Sequence, residues 1–272
     1  MLYLIATPIG NLGDITYRAV EMLQGCAEIW CEDTRQTAKL LNHLSIKKPL
    51  VSCHEYTQKE KAPLLLEKLK AGLDIAYVSD AGMPGISDPG ALLVQACIEA
   101  GLPYTVLPGP SAVLTAAVLS GLPLDRFTFF GFLPREGTAR KKALGDLAAC
   151  GATAILYESP HRVKETLHDV LNAAGDCPCA LVRELTKVHE SCQRGLISEV
   201  FGVLPEEVRG ECVLLFRIPP RTEDAPSADE LDALLLRLMD HMTLKDAAKE
   251  ASEALKLPKK QVYARALELK NE

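Results

Sequence analysis

Short apolar runs alternate with helical patterns along the first half of the chain. LYLIA precedes DITYRAVEMLQG, EIWCED precedes TRQTAKLLNHL, and PLVSC precedes KAPLLLEKLKAG; DIAYV, GALLVQACIEAG, YTVLP and SAVLTAAVLSG continue the series. Strands alternating with helices at this spacing predict a largely parallel sheet covered on both faces, with Asp14 as the N-cap of the first helix. This α/β domain is expected over residues 1–121. After the connection LPLDRF, a second α/β domain is expected over 122–219. It contains FTFFGFLP, a helix from about Thr138, ATAILYE, VKETLHDVLNAAG, CALVREL and GECVLLFRIP. PPRTEDAPS, from Pro219 to Ser227, has the composition of a linker. The remainder of 220–272 predicts three short helices, with Ser227/Glu230 and Thr243/Asp246 at capping-box spacing and Leu257-Pro258 opening the third. Such a module is either a helix-turn-helix or a helical cap packed on the rest, because no base-reading residue stands out.

Composition narrows the class. The 272 residues are 48% hydrophobic and 24% charged, which is globular and leaves no large disordered part. No apolar run approaches the roughly 18 residues of a membrane helix, and MLYLIATPIG lacks the features of a signal peptide, so a cytoplasmic protein without membrane contact is expected. The nine cysteines are odd in number and scattered through apolar runs, which predicts buried free thiols. Cys177 and Cys179 form C-x-C without further ligands nearby, so no metal is expected. The net charge of −6 gives no global attraction to nucleic acid, so an RNA partner requires a local patch. Arg135, Arg140, Lys141 and Lys142 form one, although such a cluster also suits an ordinary solvated helix face.

In an open parallel sheet, ligands bind beyond the carboxyl ends of the strands. Five segments leave strands with suitable composition: TPIGNLGD from Thr7, SDAGMPGISDPG from Ser79, PGPSA from Pro108, ESPHR from Glu158 and RELTKVHE from Arg183. Neither G-x-G-x-x-G nor G-x-x-x-x-G-K-[ST] is present, which favours a ligand read by backbone and small side chains rather than through phosphate.

The ordered set LYLIATPIGNLGD, VSDAGMPGISDPG, LPGPSA, FFGFLPR, YESPHR and RELTKVHE resembles the tetrapyrrole methylase class of S-adenosylmethionine-dependent methyltransferases. Within it the chain is similar, over essentially its whole length, to the ribosomal small-subunit methyltransferase I family, which 2'-O-methylates a cytidine in the decoding region of small-subunit RNA. The resemblance implies two α/β domains with S-adenosylmethionine bound between them, a homodimer, and small-subunit ribosomal RNA or the 30S subunit as partner. It places cofactor contacts on Ile9, Ala81, Gly82, Met83, Ile86, Ser111, Ala112, Glu158 and Leu185. Tetrapyrrole-modifying members carry G-x-G-P-G-D after the first strand, whereas this chain has ATPIGNLGD, with Thr7 and Pro8 at two of those positions. A flat macrocycle is therefore the poorer acceptor.

Methyl transfer to a hydroxyl quenches the sulfonium charge, so apolar walls and carbonyl oxygens suit the reaction better than an anion on sulfur. Asp80, at a strand end, is the stronger candidate for a ribose contact, and Asp88, before Pro89, for an Asx turn. The attacking hydroxyl needs a base or an alkoxide-stabilising cation. Lys187 is the first candidate, its pKa lowered beside a sulfonium, with Glu184 and Glu190 as alternatives or as groups orienting Lys187 or Arg183. Glu158 and Arg183 also suit a plain ion pair between strand ends, and His161 with His168 suits surface packing. Arg162 joins the Arg135 to Lys142 patch as a candidate phosphate contact. Two other functions fit the residues less well: a precorrin-type tetrapyrrole C-methyltransferase, and a nucleic-acid-binding module whose cleft senses the cofactor.

Overall fold

In a computed structural model of the chain, the described residues are 1–220, 228–255 and 257–271. Ser227, expected as a cap, and positions 221–227 of the expected linker lie outside them. Met1–Ile218 form one compact unit and Pro219–Glu272 a second.

The first half of the larger unit runs β1 (Leu2–Ile5), α1 (Tyr17–Gly25), β2 (Glu28–Cys31), α2 (Thr34–His43), β3 (Leu50–Ser52), α3 (Gln58–Lys70), β4 (Ile75–Val78), α4 (Ala91–Glu99), β5 (Tyr104–Leu107) and α5 (Ala112–Ser120). All its strand pairs are parallel, in the order β3-β2-β4-β1-β5. Alternate side chains feed two cores. Ile5, Ile29, Cys31 and Val78 pack with α1 and α2, whereas Leu4, Trp30, Ile75 and Tyr77 pack with α3 and α4. Both faces are thus covered, as an all-parallel sheet requires. Asp14 does not cap α1. It ends a 3-10 turn over Leu12–Asp14; Ile15 is then extended, and Thr16 caps the helix by accepting the Ala19 N–H at 3.1 Å.

The second half comprises β6 (Phe127–Phe132), α6 (Gly137–Ala148), β7 (Thr153–Glu158), α7 (Val163–Ala174), β8 (Pro178–Arg183), β9 (Ser191–Leu196), α8 (Ile197–Gly202) and β10 (Cys212–Arg217). This sheet is mixed, ordered β6-β7-β10-β8-β9, with only β6 and β7 parallel. One face packs on α6, α7 and α8. The other is covered by α5, contributed by the first half, through Val113, Ala116 and Ala117 against Ile155, Ala180, Val182 and Leu215. Ile9 and Leu185 join this same core, which locks the two sheets together around the loops between them.

Arg140 belongs to the fold rather than to a phosphate-binding patch. It is 5% exposed. Its guanidinium donates to Asp169 at 2.8 Å, the Thr166 hydroxyl at 3.1 Å and the Pro134 carbonyl at 3.1 Å, clasping α6 to α7. A buried cation with a partner at each guanidinium nitrogen belongs to the packing.

In the smaller unit, α9 (Ala228–Met239), α10 (Leu244–Ala254) and α11 (Lys259–Asn271) surround Leu231, Leu235, Ala248, Ala251, Val262 and Ala266. Thr243 caps α10, and Arg265 ties α11 to Asp232 of α9 at 2.6 Å.

Arg140→Ala should lower the unfolding free energy in urea by about 3 kcal/mol, since Asp169 and Thr166 then lose a buried partner. A loss below about 1 kcal/mol would show that the clasp carries little of the stability.

Candidate functional site

The two loops that leave β1 and β4 begin side by side, because Ile5 stands opposite Val78 in parallel register. Two residues past β1 the chain folds back on its neighbour. Thr7 and Gly82 exchange both backbone hydrogen bonds at 2.9 Å, forming an antiparallel bridge beyond a parallel sheet. The buried Thr7 hydroxyl also donates to the Ser79 carbonyl at 3.2 Å. At the far end of the loop, the buried Gln58 side chain at the start of α3 accepts the Gly90 N–H at 2.8 Å. SDAGMPGISDPG is therefore held at both ends, consistent with a preformed wall rather than a hinge.

The opposite wall is the hairpin between β8 and β9. Glu184 and Thr186 adopt left-handed backbone, with φ of 52° and 63°, a strained conformation for residues that are not glycine. Four hydrogen bonds hold it. The Thr186 N–H donates to the Glu190 carboxylate at 2.7 Å, the Glu211 N–H to the Glu184 carboxylate at 2.8 Å, and the Lys187 ammonium to Glu184 and Glu211 at 3.0 Å each. The first loop lies directly against this hairpin at Gly10. A Cβ there would sit 2.7 Å from the Leu185 carbonyl oxygen, the Thr186 hydroxyl and the Lys187 Cγ, so only glycine allows the approach.

Between these walls is a cavity of about 400 Å³, a size that suits a cofactor. Ile9, Ala81, Gly82, Met83 and Ile86 line it from the first two loops, Ser111 and Ala112 from the start of α5, and Glu158 and Leu185 from the second sheet. These nine expected cofactor residues are brought together in one place. Asp80 is not among the lining residues. Its carboxylate accepts the Asp33 N–H at 3.1 Å, bracing the ends of β2 and β4, whereas Asp88, expected to shape a turn, lines the cavity. Burial pushes the Asp88 carboxyl above the usual carboxylate range.

The sequence reading also missed Gly210, Glu211, Cys212 and Val213, which line the cavity together with Phe132 and Tyr157. β10 runs antiparallel to β7 and β8, so its beginning, not its end, lies at their carboxyl ends. A search confined to loops that follow strands passes over it. Burial raises the Cys212 thiol to about 11, which leaves it an unreactive wall.

Charged residues divide into those held within the fold and those left at the surface. Glu158 is buried, but not against Arg183. It accepts from the Ser159 N–H at 2.8 Å and the Thr166 hydroxyl at 2.7 Å, and pairs with Arg162 at 3.6 Å. Arg162 also donates to the carbonyls of Leu133 and Pro134, which ties it to the fold, although it is less buried than Arg140. Arg135, Lys141 and Lys142 stand exposed. The two carboxylates beside Lys187 outweigh its desolvation and raise its pKa above the ordinary lysine value. The Glu211 N–H and Lys187 hold Glu184 below the usual carboxylate range. Without a sulfonium beside it, Lys187 is thus firmly cationic rather than poised to lose its proton. Glu184 and Glu190 accept bonds that shape the hairpin.

The apolar part of the wall fits a bent adenosyl thioether or sulfonium: Ile9, Met83, Ile86, Leu185 and Val213 surround the space, and among the described residues no lysine or arginine lines it. Comparison with known proteins agrees. A family model described as Tetrapyrrole (Corrin/Porphyrin) Methylases matches residues 1–200, and one described as the RsmI C-terminal HTH domain matches 225–270. Proteins named ribosomal RNA small subunit methyltransferase I from Synechocystis and Vibrio cholerae are 44% and 43% identical, covering 99% and 98% of this chain and 98% and 94% of theirs. Among solved structures, uroporphyrin-III C-methyl transferase from Thermus thermophilus complexed with S-adenyl homocysteine superposes with a TM-score of 0.57 at 20% identity, over 80% of this chain and 97% of that one. Diphthine synthase gives a TM-score of 0.60 at 13% identity, over 79% and 88%. At those identities the structures speak for the fold alone. Matched along nearly its whole length at more than 40% identity, the chain belongs to the ribosomal RNA small subunit methyltransferase I family of the tetrapyrrole methylases.

Proposed function

We propose that the protein is an S-adenosylmethionine-dependent methyltransferase of small-subunit ribosomal RNA, transferring the methyl group to the 2'-hydroxyl of a cytidine in the decoding region. The observation that carries the reading is the full-length relationship to ribosomal RNA methyltransferases, joined to a cavity whose walls are mostly apolar. Thr7, in the loop where macrocycle-modifying members have a small residue, is buried and hydrogen-bonded across to Ser79, which favours RNA over a flat tetrapyrrole as acceptor.

When bound, S-adenosylmethionine supplies an electrophilic methyl group on a sulfonium. Ile9, Ala81 to Met83, Ile86, Ser111, Ala112 and Leu185 would hold it. None of these residues carries a carboxylate that would stabilise beforehand the charge lost during transfer, whereas Asp88, Glu158 and Glu211 line other parts of the cavity. Lys187, fixed by Glu184 and Glu211 at the rim beside Leu185, offers a permanent cation to the oxygen of the attacking hydroxyl. Such a group stabilises the oxygen as the hydroxyl gives up its proton to solvent, without accepting that proton itself. Arg135, Lys141 and Lys142 are positioned on the surface to meet RNA phosphates, with Arg140 and Arg162 serving the fold beneath them.

We also infer a homodimer in the cytoplasm. α5 buries Val113 and Ala117 against the second sheet while exposing Leu114 and Val118 on its other side, an apolar face suited to a second copy. A monomeric sedimentation coefficient at micromolar concentration would remove the dimer.

Mass spectrometry of 16S ribosomal RNA should reveal one ribose methyl group that is missing in cells without the protein and restored by the wild-type chain. An unchanged methylation pattern in those cells would refute the reading. Lys187→Ala should reduce methyl transfer about 10²- to 10³-fold, while calorimetry finds cofactor affinity unchanged. Lys187→Arg, which keeps the cation but cannot act as a base, should retain a substantial fraction of the activity. Glu184 keeps its charge to below the usual carboxylate range and is neutralised only as pH falls through that lowered value. Lys187 loses its charge only as pH rises above the usual lysine value. The cluster is therefore intact between about pH 5 and 10 and should add no inflection to the rate profile there. An inflection in that range, abolished together with activity in Lys187→Arg, would make Lys187 the base.

A further inference from the structure

The bases of an RNA substrate need a surface at the mouth of the cavity, and β6 departs from regular strand geometry at the residue that provides one. Phe129 and Phe130 alternate as a strand requires: Phe129 packs on the α5 side of the second sheet, and Phe130 on the side of α6 and α7. Strict alternation would put Phe132 with Phe130. The pairing instead steps from Phe129 opposite Ile155 to Phe132 opposite Tyr157, three positions on β6 against two on β7. Gly131, at φ of +63°, accommodates the irregularity. A one-residue slip moves every later side chain to the other face, so Phe132 emerges on the side of Tyr157 and the cavity.

Its ring lines the cavity yet is 59% exposed. It is backed by Tyr157 at 5.5 Å between ring centroids and an interplanar angle of 58°, and Tyr157 is in turn contacted by Phe129 at 5.0 Å and 70°. Three linked rings hold an aromatic group in place on a strand at the edge of the sheet. Nothing in core packing calls for this, because a side chain that only filled the core would have followed the alternation toward α6 and α7. Three residues further on stands Arg135, exposed, and Lys141 and Lys142 follow on α6.

We propose that Phe132 is a stacking platform for the target nucleobase, holding the pyrimidine against its ring while the ribose hydroxyl enters the cavity and Arg135 meets the adjoining phosphate. The proposal rests on the reading of the protein as an RNA ribose methyltransferase. Single-stranded RNA is commonly gripped by stacking bases on aromatic side chains, and the contribution of such a stack tolerates any base. In this arrangement the cofactor occupies the apolar interior, the base lies on Phe132 at the rim, and Lys187 approaches from the opposite wall.

The test compares Phe132→Leu, which keeps an apolar side chain but removes the aromatic face, with Phe132→Trp, which enlarges that face. Methylation of small subunits isolated from cells lacking the protein is measured alongside calorimetric titration with S-adenosylmethionine. Phe132→Leu should lower kcat/KM for the subunit about 10- to 100-fold, mainly through KM, while Phe132→Trp remains close to wild type and cofactor affinity stays the same in both. Full activity in Phe132→Leu would overturn the platform. So would a loss of cofactor affinity that parallels the loss of activity, since Phe132 would then be a wall of the cofactor site. A wild-type protein that methylates no ribosomal RNA would overturn the functional reading itself, a failure visible before any variant is measured.

Discussion

The pair of backbone hydrogen bonds between Thr7 and Gly82 is the constraint on which the rest of the site depends. Parallel strands leave their loops free to diverge, yet here two adjacent loops are tied together within a few residues of leaving the sheet. That tie presents Ile9 on one side and Ala81 to Met83 on the other to the same space. Gly10 then extends the constraint across the cleft by letting the first loop lie against the hairpin at Leu185 to Lys187. The packing of α5 on the second sheet fixes the distance between the walls, so the cavity exists before any ligand enters it. Preorganisation of this kind favours binding and catalysis because the ordering is completed during folding.

Charge is arranged around this cavity with the same economy. Carboxylates near the interior are engaged: Glu158 by a backbone N–H, Thr166 and Arg162, and Glu184 by Lys187 and the Glu211 N–H. The Lys187 ammonium is itself bound to Glu184 and to Glu211, one of the residues that line the cavity. A largely apolar interior suits the proposed transfer, which removes positive charge from sulfur while the attacking hydroxyl gives up its proton to solvent.

Much of this was legible in the sequence because it follows from local rules. Strands and helices of the first half appear in the apolar periodicity, and glycine and proline mark the loops. Nine expected cofactor residues line one cavity, although their contact with the cofactor is an inference from the resemblance. What escaped notice depends on distant partners. Ser191–Leu196 reads SCQRGL, with little β propensity, and is a strand only because β8 pairs with it. Arg140 looked like its exposed neighbours Lys141 and Lys142 until α7 brought Thr166 and Asp169 to it. Asp80 and Asp88 exchanged their expected positions because Asp80 is drawn to the end of β2, a neighbour that no local pattern reveals. Gly210 to Val213 lay outside any rule for parallel strands, since β10 enters the sheet in the opposite direction.

A crystal structure of the protein with S-adenosylhomocysteine tests the central claim most directly, namely that the tied loops and the strained hairpin are the two walls of the cofactor site. The expected result is the ligand between Ala81 to Met83 on one side and Leu185 on the other, with the Thr7 and Gly82 hydrogen bonds intact. A ligand bound outside this cavity, or one admitted only when that pair of bonds is broken, would contradict it.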